Sequence, residues 1–188
     1  MLNKKDFELI RKELIEFDAK REETIRVSRD VIKLSKQIIY SVHRNELNNA
    51  SKLIKEMNNK IKLLDKKKNY DTGISFVAFQ EYVEAITFFE IINKNRLPNK
   101  NELNVDVEAY LTGLADLTGE LVRKAVHDAI KKDFKSVVKI KDLVEDIYGE
   151  FLKFDLRNGE VRKKSDSIKW NLHKLEDMVF GLNLNSRI

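Results

Sequence analysis

The sequence predicts an all-α protein, an antiparallel bundle of about six helices. Three observations lead to this prediction. Only 6 of the 188 residues are Gly and 1 is Pro, so few positions interrupt a helix. Charged residues make up 36% of the chain, and apolar residues recur at steps of three and four, the period of one helix face. A chain of this length usually forms one domain, so we expect a single helical domain over residues 1–188.

The first predicted helix carries a regular apolar stripe that should face the core. The stripe consists of Val27, Val31, Leu34, Ile38 and Val42. A second helix follows the break at Asn45. Because the predicted loops are short, consecutive helices should lie antiparallel.

Turn residues and caps delimit the later helices. The turn-like run 69–73 precedes the third helix, and Pro98 lies just beyond its end, since Pro cannot continue a helix. Asn104 and Asp133 are predicted to cap the fourth and fifth helices, and the sixth begins near Gly159. The predicted helices span about residues 4–43, 46–67, 75–94, 105–131, 134–154 and 159–180.

The last predicted helix has the heptad spacing of a coiled-coil seam. Its apolar side repeats at alternating steps of four and three, through Val161, Ser165, Ile168, Leu172, Leu175, Val179 and Leu182. Such an apolar stripe must be buried against other helices. It predicts self-association of the chain, or else burial of the stripe within its own bundle.

Composition excludes several classes of protein. The chain has no Cys, so disulfides and thiolate metal sites are excluded, and any metal must be bound by oxygen or imidazole. The first residues lack the continuous apolar stretch of a signal peptide or a membrane span, which predicts a cytoplasmic protein without a membrane partner. We find no P-loop, no dinucleotide-binding glycine motif and no nucleophile elbow.

Two pairs of carboxylates are the candidate catalytic and metal-binding residues. Glu81 and Glu84 stand three apart on the third predicted helix, which is apolar around most of its circumference. Asp116 and Glu120 stand four apart on the fourth. A buried carboxylate needs a cation or a proton, so facing pairs would form an all-oxygen site suited to Mg²⁺ or Mn²⁺. The alternative is that both pairs form ordinary solvated salt bridges, which are common in charged helical proteins.

Two glycines lie near the second pair. Gly113 and Gly119 are both within the fourth predicted helix, where each costs about 0.5–1 kcal/mol relative to Ala. Their positions predict a close approach to that backbone, by a neighbouring helix or by a ligand.

Basic residues line the side of the first helix opposite its apolar stripe. They could bind phosphates with little sequence preference, or form a solvated face paired with nearby acids such as Glu22, Glu23 and Asp30. This basic side comprises Arg26, Arg29, Lys33, Lys36 and Tyr40, and continues to His43 or Arg44. A second basic cluster comprises Arg157, Arg162, Lys163 and Lys164. The three histidines, His43, His127 and His173, share no motif and are expected to be ordinary surface or interface residues.

Four segments of the chain resemble the translin family. AYLTGLADLTGELVRKAV closely resembles the family's signature, and DLRNGEVRKKSDSIKWNLHKLEDMVF resembles its C-terminal helix, with Trp170 where the family usually has Tyr. SRDVIKLSKQIIYSVHR and QEYVEAITFF are more similar to the branch of translin-associated factor X (TRAX). Together these segments cover most of the chain.

The resemblance implies an all-α fold that assembles into closed oligomers, commonly octamers, which bind single-stranded RNA or DNA. In the TRAX branch it also implies a Mg²⁺-dependent endoribonuclease, whose catalytic carboxylates correspond to Glu81, Glu84, Asp116 and Glu120. The nearest matches to the family's nucleic-acid contacts are Arg21, His43 and Arg44, and Arg123 is a further candidate phosphate contact.

The sequence thus predicts a homo-oligomeric endoribonuclease for single-stranded RNA. Two alternatives stay open. One is a single-stranded RNA- or DNA-binding oligomer without catalysis, and the other is a helical scaffold without nucleic-acid binding.

Overall fold

The computed structural model describes residues 2–64, 70 and 72–185. Within these residues the chain forms seven helices and no strand, which confirms the all-α prediction. The helices are α1 (Lys4–His43), α2 (Leu47–Ile61), α3 (Ile74–Lys94), α4 (Lys100–Leu103), α5 (Val107–Ile130), α6 (Phe134–Phe151) and α7 (Glu160–Asn185).

The short helix α4 was not predicted, and it changes the capping at this point of the chain. Asn99 begins α4 with a capping box, in which Glu102 binds back to the Asn99 backbone. Asn104 ends α4 in the left-handed conformation, with φ at 52°, so the prediction that Asn104 begins the next helix is wrong. Asp106 occupies that position instead. The predicted cap at Asp133 is confirmed, because its carboxylate accepts a hydrogen bond from the Ser136 backbone at 3.1 Å.

Three predicted helix ends differ from the structure. The second helix ends at Ile61 rather than near Lys67, and residues 62–64 form turns. Residues 65–69 and 71 lie outside the described part of the chain, and they include positions 69 and 71 of the predicted turn at 69–73. The fifth predicted helix, which is α6, ends at Phe151 rather than near Phe154, since residues 152–154 leave the helix. The sixth predicted helix, which is α7, continues to Asn185 rather than ending near Phe180.

Helix α3 is the centre of the bundle and packs against α1, α2 and α5. Most of its surface is buried, as the apolar sequence predicts. The predicted stripe of α1 is buried in the same core, through Val27, Val31, Leu34, Ile38 and Val42. Burial of apolar area contributes about 25 cal/mol per Å², so the burial of this core is the largest favourable contribution to the stability of the fold.

Helix α7 packs against α5 and α6, and this contact covers the predicted heptad seam. Ile168, Leu172 and Leu175 are all buried within the chain's own bundle. The seam therefore stabilises the monomer. Of the two accounts of this stripe, the structure supports burial within the bundle for these three residues.

The first half of α1 extends beyond the bundle and is exposed over residues 4–20, a segment we call the arm. Over its 17 residues an α-helix rises about 25 Å. The arm carries its own apolar stripe, because Phe7, Ile10, Leu14 and Phe17 are 41–58% exposed and recur at steps of three and four. Within the described residues, no helix combines the length and hydrophobicity that crossing a bilayer would need.

Candidate active site

Helices α3 and α5 cross closely enough to bring the two pairs of carboxylates together. The crossing is made at Gly113, where an added Cβ would stand 2.6 Å from the Val83 Cβ and 2.8 Å from the Gln80 carbonyl oxygen. A side chain at this position would force the two helices apart. The predicted close approach at Gly113 is therefore that of a neighbouring helix. Gly119 makes no such contact, since the nearest atom to an added Cβ is 3.8 Å away, on Asn171.

Glu84 lies at the centre of this crossing and is 9% exposed. Burial and, after it, the negative charges of Asp116, Glu81 and Glu120 together raise its pKa to about 8, against the opposing charge of Lys164. No residue in the described part of the chain donates a hydrogen bond to its carboxylate. Glu84 is thus a buried acid that lacks a cation of its own.

Glu81 is next to Glu84 in the same electrostatic neighbourhood. Burial raises the pKa of Glu81, and Asp116 and Glu120 contribute in the same direction, while Lys36 and Lys164 oppose the shift. Because Asp116 and Glu120 act on Glu81 through their charge, the two predicted pairs lie in one neighbourhood of the bundle.

Asp116 is bound by two side chains that the sequence analysis did not assign to the site. Lys164 of α7 donates to both of its carboxylate oxygens, at 2.7 and 2.5 Å. Gln80 of α3 donates to one of the same oxygens at 2.5 Å. Lys164 was recognised only as part of a basic cluster, and Gln80 only as the start of a family segment. Lys164 is 48 residues from Asp116 along the chain, so no local spacing could have indicated this contact.

Glu120 is bound by His43 of α1. The imidazole Nε2 donates to the Glu120 Oε2 at 2.5 Å, and this hydrogen bond lowers the pKa of Glu120. The His43 side chain is only 2% exposed, and its ring lies 4.8 Å from the Phe88 ring. Arg123 approaches the same carboxylate oxygen of Glu120 at 3.7 Å and is half exposed at the edge of the site.

The burial of His43 affects two predictions, that it is an ordinary surface or interface residue and that it contacts nucleic acid. His43 is not an ordinary surface residue, because it belongs to the carboxylate site through Glu120. Its predicted direct contact with nucleic acid stays a prediction, and one that this burial does not favour. Its second ring nitrogen, Nδ1, is buried and has no hydrogen-bond partner among the described residues.

The donor chemistry of the site fits a hard divalent cation, since the four acids offer only oxygen ligands. The side-chain placement is different from that of a formed metal site. Among the described residues, no group of three or more acidic or imidazole side chains is arranged so that it could hold a metal ion. The contacts of Asp116 with Lys164, and of Glu120 with His43, account for this, because they direct two of the four carboxylates to protein partners.

The predicted nucleic-acid contacts on α1 divide into paired and unpaired cations. Three of them form ion pairs with neighbouring glutamates, as the alternative of a solvated basic face predicts. These pairs are Arg21–Glu22 at 2.8 Å, Arg26–Glu23 at 2.7 Å and Arg44–Glu46 at 2.6 Å. In contrast, Arg29 and Lys33 are exposed and form no ion pair or hydrogen bond with any described residue. Arg29 and Lys33 are therefore the two predicted contacts that are free to bind an anion.

The family model described as the Translin family matches residues 19–186. The chain belongs to the translin family. Within that family it is 31% identical to an uncharacterised protein of Methanocaldococcus jannaschii, over 90% of this chain and 80% of that protein.

Two named relatives are also similar to this translin-family chain. Translin of Gallus gallus is 30% identical over 58% of this chain and 49% of its own length. Translin-associated protein X of Rattus norvegicus is 23% identical over 95% of this chain and 77% of its own. The chain therefore aligns with about half the length of this curated translin.

Solved structures show the same fold. The crystal structure of apo-NeC3PO has a TM-score of 0.88 and 33% identity, and the match covers 96% of this chain and 97% of that one. AfC3PO in a complex with duplex RNA has a TM-score of 0.83 and 30% identity, with 96% and 97% coverage. The translin-like fold predicted from the sequence segments is thus confirmed.

Proposed function

We propose that this protein is a divalent-metal-dependent endoribonuclease that cleaves single-stranded RNA. The observation that carries the proposal is Glu84, a buried carboxylate with no protein cation of its own and with three further acids acting on it. A buried acid in this state gains stability from a cation that all four carboxylates can share. The duplex RNA in the AfC3PO complex supports RNA as the class of ligand, and the choice of single-stranded RNA rests on the resemblance to the TRAX branch.

Glu81, Glu84 and Asp116 would hold the cation, and Glu120 is either a further ligand or the general base. Mg²⁺ suits this all-oxygen set, and Mn²⁺ is the expected substitute. When bound, such an ion lowers the pKa of a coordinated water and neutralises charge that develops on the phosphate. Asp116 would have to exchange its contact with Lys164 for the ion, and the released ammonium could then bind substrate phosphate.

The other residues of the site have roles that follow from their positions. His43 fixes the orientation of Glu120 through the 2.5 Å hydrogen bond to one carboxylate oxygen, which leaves the other oxygen to accept a proton from water. Arg123 is half exposed beside Glu120 and can bind a phosphate oxygen next to the cleaved bond. Gln80 holds Asp116 from the α3 side.

A cleavage assay tests this proposal. A labelled single-stranded oligoribonucleotide is incubated with wild-type protein in Mg²⁺, with wild-type protein in EDTA, and with Glu84→Gln in Mg²⁺. We expect cleavage only in the first sample, with a loss of at least about 100-fold in the others. Glu108→Gln is the matched control, because Glu108 is an exposed glutamate near the start of α5, and it should cleave normally. Cleavage that survives both EDTA and Glu84→Gln removes the proposal.

A second candidate function is RNA binding without catalysis. It is favoured by the ion pair of Lys164 with Asp116, which lets protein groups satisfy that carboxylate without a metal. This function predicts RNA binding that weakens with salt, persists in EDTA and is accompanied by no cleavage.

We also propose that the protein functions as a homo-oligomer, an octamer as its family resemblance implies. The support within this chain is the apolar stripe of the arm, whose four residues are each 41–58% exposed, with only the Phe17 ring in edge contact with Tyr70 among the described residues.

A further inference from the structure

A groove between α1 and α2 is distinct from the carboxylate site. It has a volume of about 710 Å³, within the range of pockets that hold ligands of nucleotide size. Its apolar floor includes Ile32 and Leu53, and its polar groups include the amides of Gln37 and Asn49. The α1 side of the groove carries cations from the predicted basic side of the first helix.

Three cations on the α1 side line this groove, and two of them act on nearby carboxylates only at a distance, Lys33 on Asp30 and Lys36 on Glu81. Arg29, Lys33 and Lys36 are exposed, stand at steps of four and three on one face of α1, and form no ion pair or hydrogen bond with any described residue. The arginines at either end of the row differ, since Arg26 and Arg44 are each held by a glutamate. A row of unpaired cations above an apolar floor is complementary to a ligand that has phosphates and a flat apolar part.

Tyr40 supplies the surface for that flat part. Its ring is 56% exposed at the edge of the groove. The Arg44 guanidinium lies 5.6 Å from the centre of the ring, and Arg44 also donates to the Tyr40 hydroxyl at 3.4 Å. Glu46 in turn fixes Arg44 with a hydrogen bond of 2.6 Å. The ring is therefore held in place from one side and open on the rest of its surface.

We propose that this groove binds one unstacked nucleotide of single-stranded RNA, with the base against Tyr40 and the adjoining phosphates on Lys33 and Lys36. The exposed amide of Gln37 is placed to hydrogen-bond an edge of the base. Lys36 also lies close enough to Glu81 for its charge to act on that carboxylate, so a strand bound here continues toward the candidate active site. A duplex would not fit in the same way, because its bases are stacked and offer no free face. This inference rests on the proposed function for its substrate class, RNA.

Affinities measured in EDTA test the groove separately from cleavage. A labelled single-stranded oligouridylate and a blunt RNA duplex are titrated with the full chain and its variants, by fluorescence anisotropy. Tyr40→Ala should weaken single-strand binding by about tenfold, as the loss of one base–aromatic stack predicts, and change duplex binding by less than about twofold. Tyr40→Phe should retain wild-type affinity, because it keeps the ring. Phe180→Ala, which removes an aromatic side chain that is 65% exposed on α7, is the matched control and should also retain it.

Uridine 5′-monophosphate serves as a second probe that does not depend on RNA length. Saturation-transfer NMR should detect its binding to the wild-type chain and a clear loss with Lys33→Gln/Lys36→Gln. The proposal is overturned if Tyr40→Ala leaves single-strand affinity unchanged, or if it weakens the binding of single strand and duplex equally. It is also overturned if a polyglutamate peptide displaces the nucleotide from the groove.

The two proposals fail in different ways. Single-strand binding that depends on Tyr40, without any cleavage, supports the groove and removes the nuclease. Cleavage that depends on Glu84 but not on Tyr40 supports the nuclease and overturns the groove.

Discussion

At the scale of single residues, Glu84 should make stability depend on pH. Its pKa is about 8 in the folded protein and 4.5 in the reference state, so between these values the folded chain holds a proton that the unfolded chain releases. The contribution of Glu84 to stability is therefore full below about pH 4.5 and is lost as pH rises to about 8. A variant that cannot ionise avoids this loss.

We expect Glu84→Gln to be more stable than wild type at pH 8, by a free energy of unfolding on the order of a few kcal/mol, and similar to wild type at pH 5. Urea unfolding in EDTA at both pH values measures this. Glu108→Gln should follow wild type at both. Added Mg²⁺ should stabilise wild type at pH 8 more than it stabilises Glu84→Gln, since an ion that binds only the folded state raises stability. If the free energies of unfolding of Glu84→Gln and wild type differ by the same amount at pH 5 and pH 8, the raised pKa of Glu84 is wrong.

At the scale of helices, the two glycines of α5 should respond to substitution in opposite directions. Gly113→Ala places a Cβ against Val83 and the Gln80 carbonyl, so we expect it to destabilise the protein by about 1–3 kcal/mol. Gly119→Ala meets no atom closer than 3.8 Å, and the better helix propensity of Ala should make it neutral or stabilising by up to ~1 kcal/mol. Thermal unfolding of the two variants provides the comparison. If Gly113→Ala is tolerated as well as Gly119→Ala, the close crossing of α3 and α5 is wrong.

The sequence predicts elements of this fold more fully than it predicts contacts between them. The third helix could be recognised because it is apolar on nearly every side, and the pairing of Glu81 with Glu84 follows from helical spacing alone. The contact of Lys164 with Asp116 could not be predicted, since it depends on how α7 lies on α5. Helix α4 was missed because it has only four residues, too few to show a period.

The position of exposed apolar surface also depends on the whole molecule. The heptad spacing of α7 is the same whether its cover is the same chain or another, and the structure places Ile168 and Leu175 in the chain's own core. The sequence was not predicted to have such a stripe in the arm, although the apolar residues there have the same spacing. What distinguishes the two stripes is the length of α1, which carries its first residues past the rest of the bundle.

At the scale of the whole molecule, the charges beside the arm's stripe favour an antiparallel pair of arms from two copies. With Phe7 packed on Phe17 and Ile10 on Leu14 of the other copy, Lys4 would lie near Asp18 and Asp6 near Lys20, each contact occurring twice. Near the twofold axis, Arg11 and Glu13 would each face their own copies. A parallel pair places Asp6 near Arg11 but Glu13 near Asp18, so its attractive and repulsive contacts balance.

This arrangement predicts that Leu14→Asp reduces the size of the assembly. Leu14 lies in the middle of the stripe and is 58% exposed in the monomer, so the substitution should leave the bundle folded while it places a charge within the contact between arms. Ile15→Asp is the matched control, because Ile15 is 69% exposed and lies off the stripe. Multi-angle light scattering should give a multiple of 22.1 kDa for wild type and for Ile15→Asp, and a smaller multiple for Leu14→Asp, with unchanged helical content by circular dichroism. Equal masses for Leu14→Asp and Ile15→Asp would show that the stripe does not join the copies, and a wild-type mass of 22.1 kDa would show that no oligomer forms.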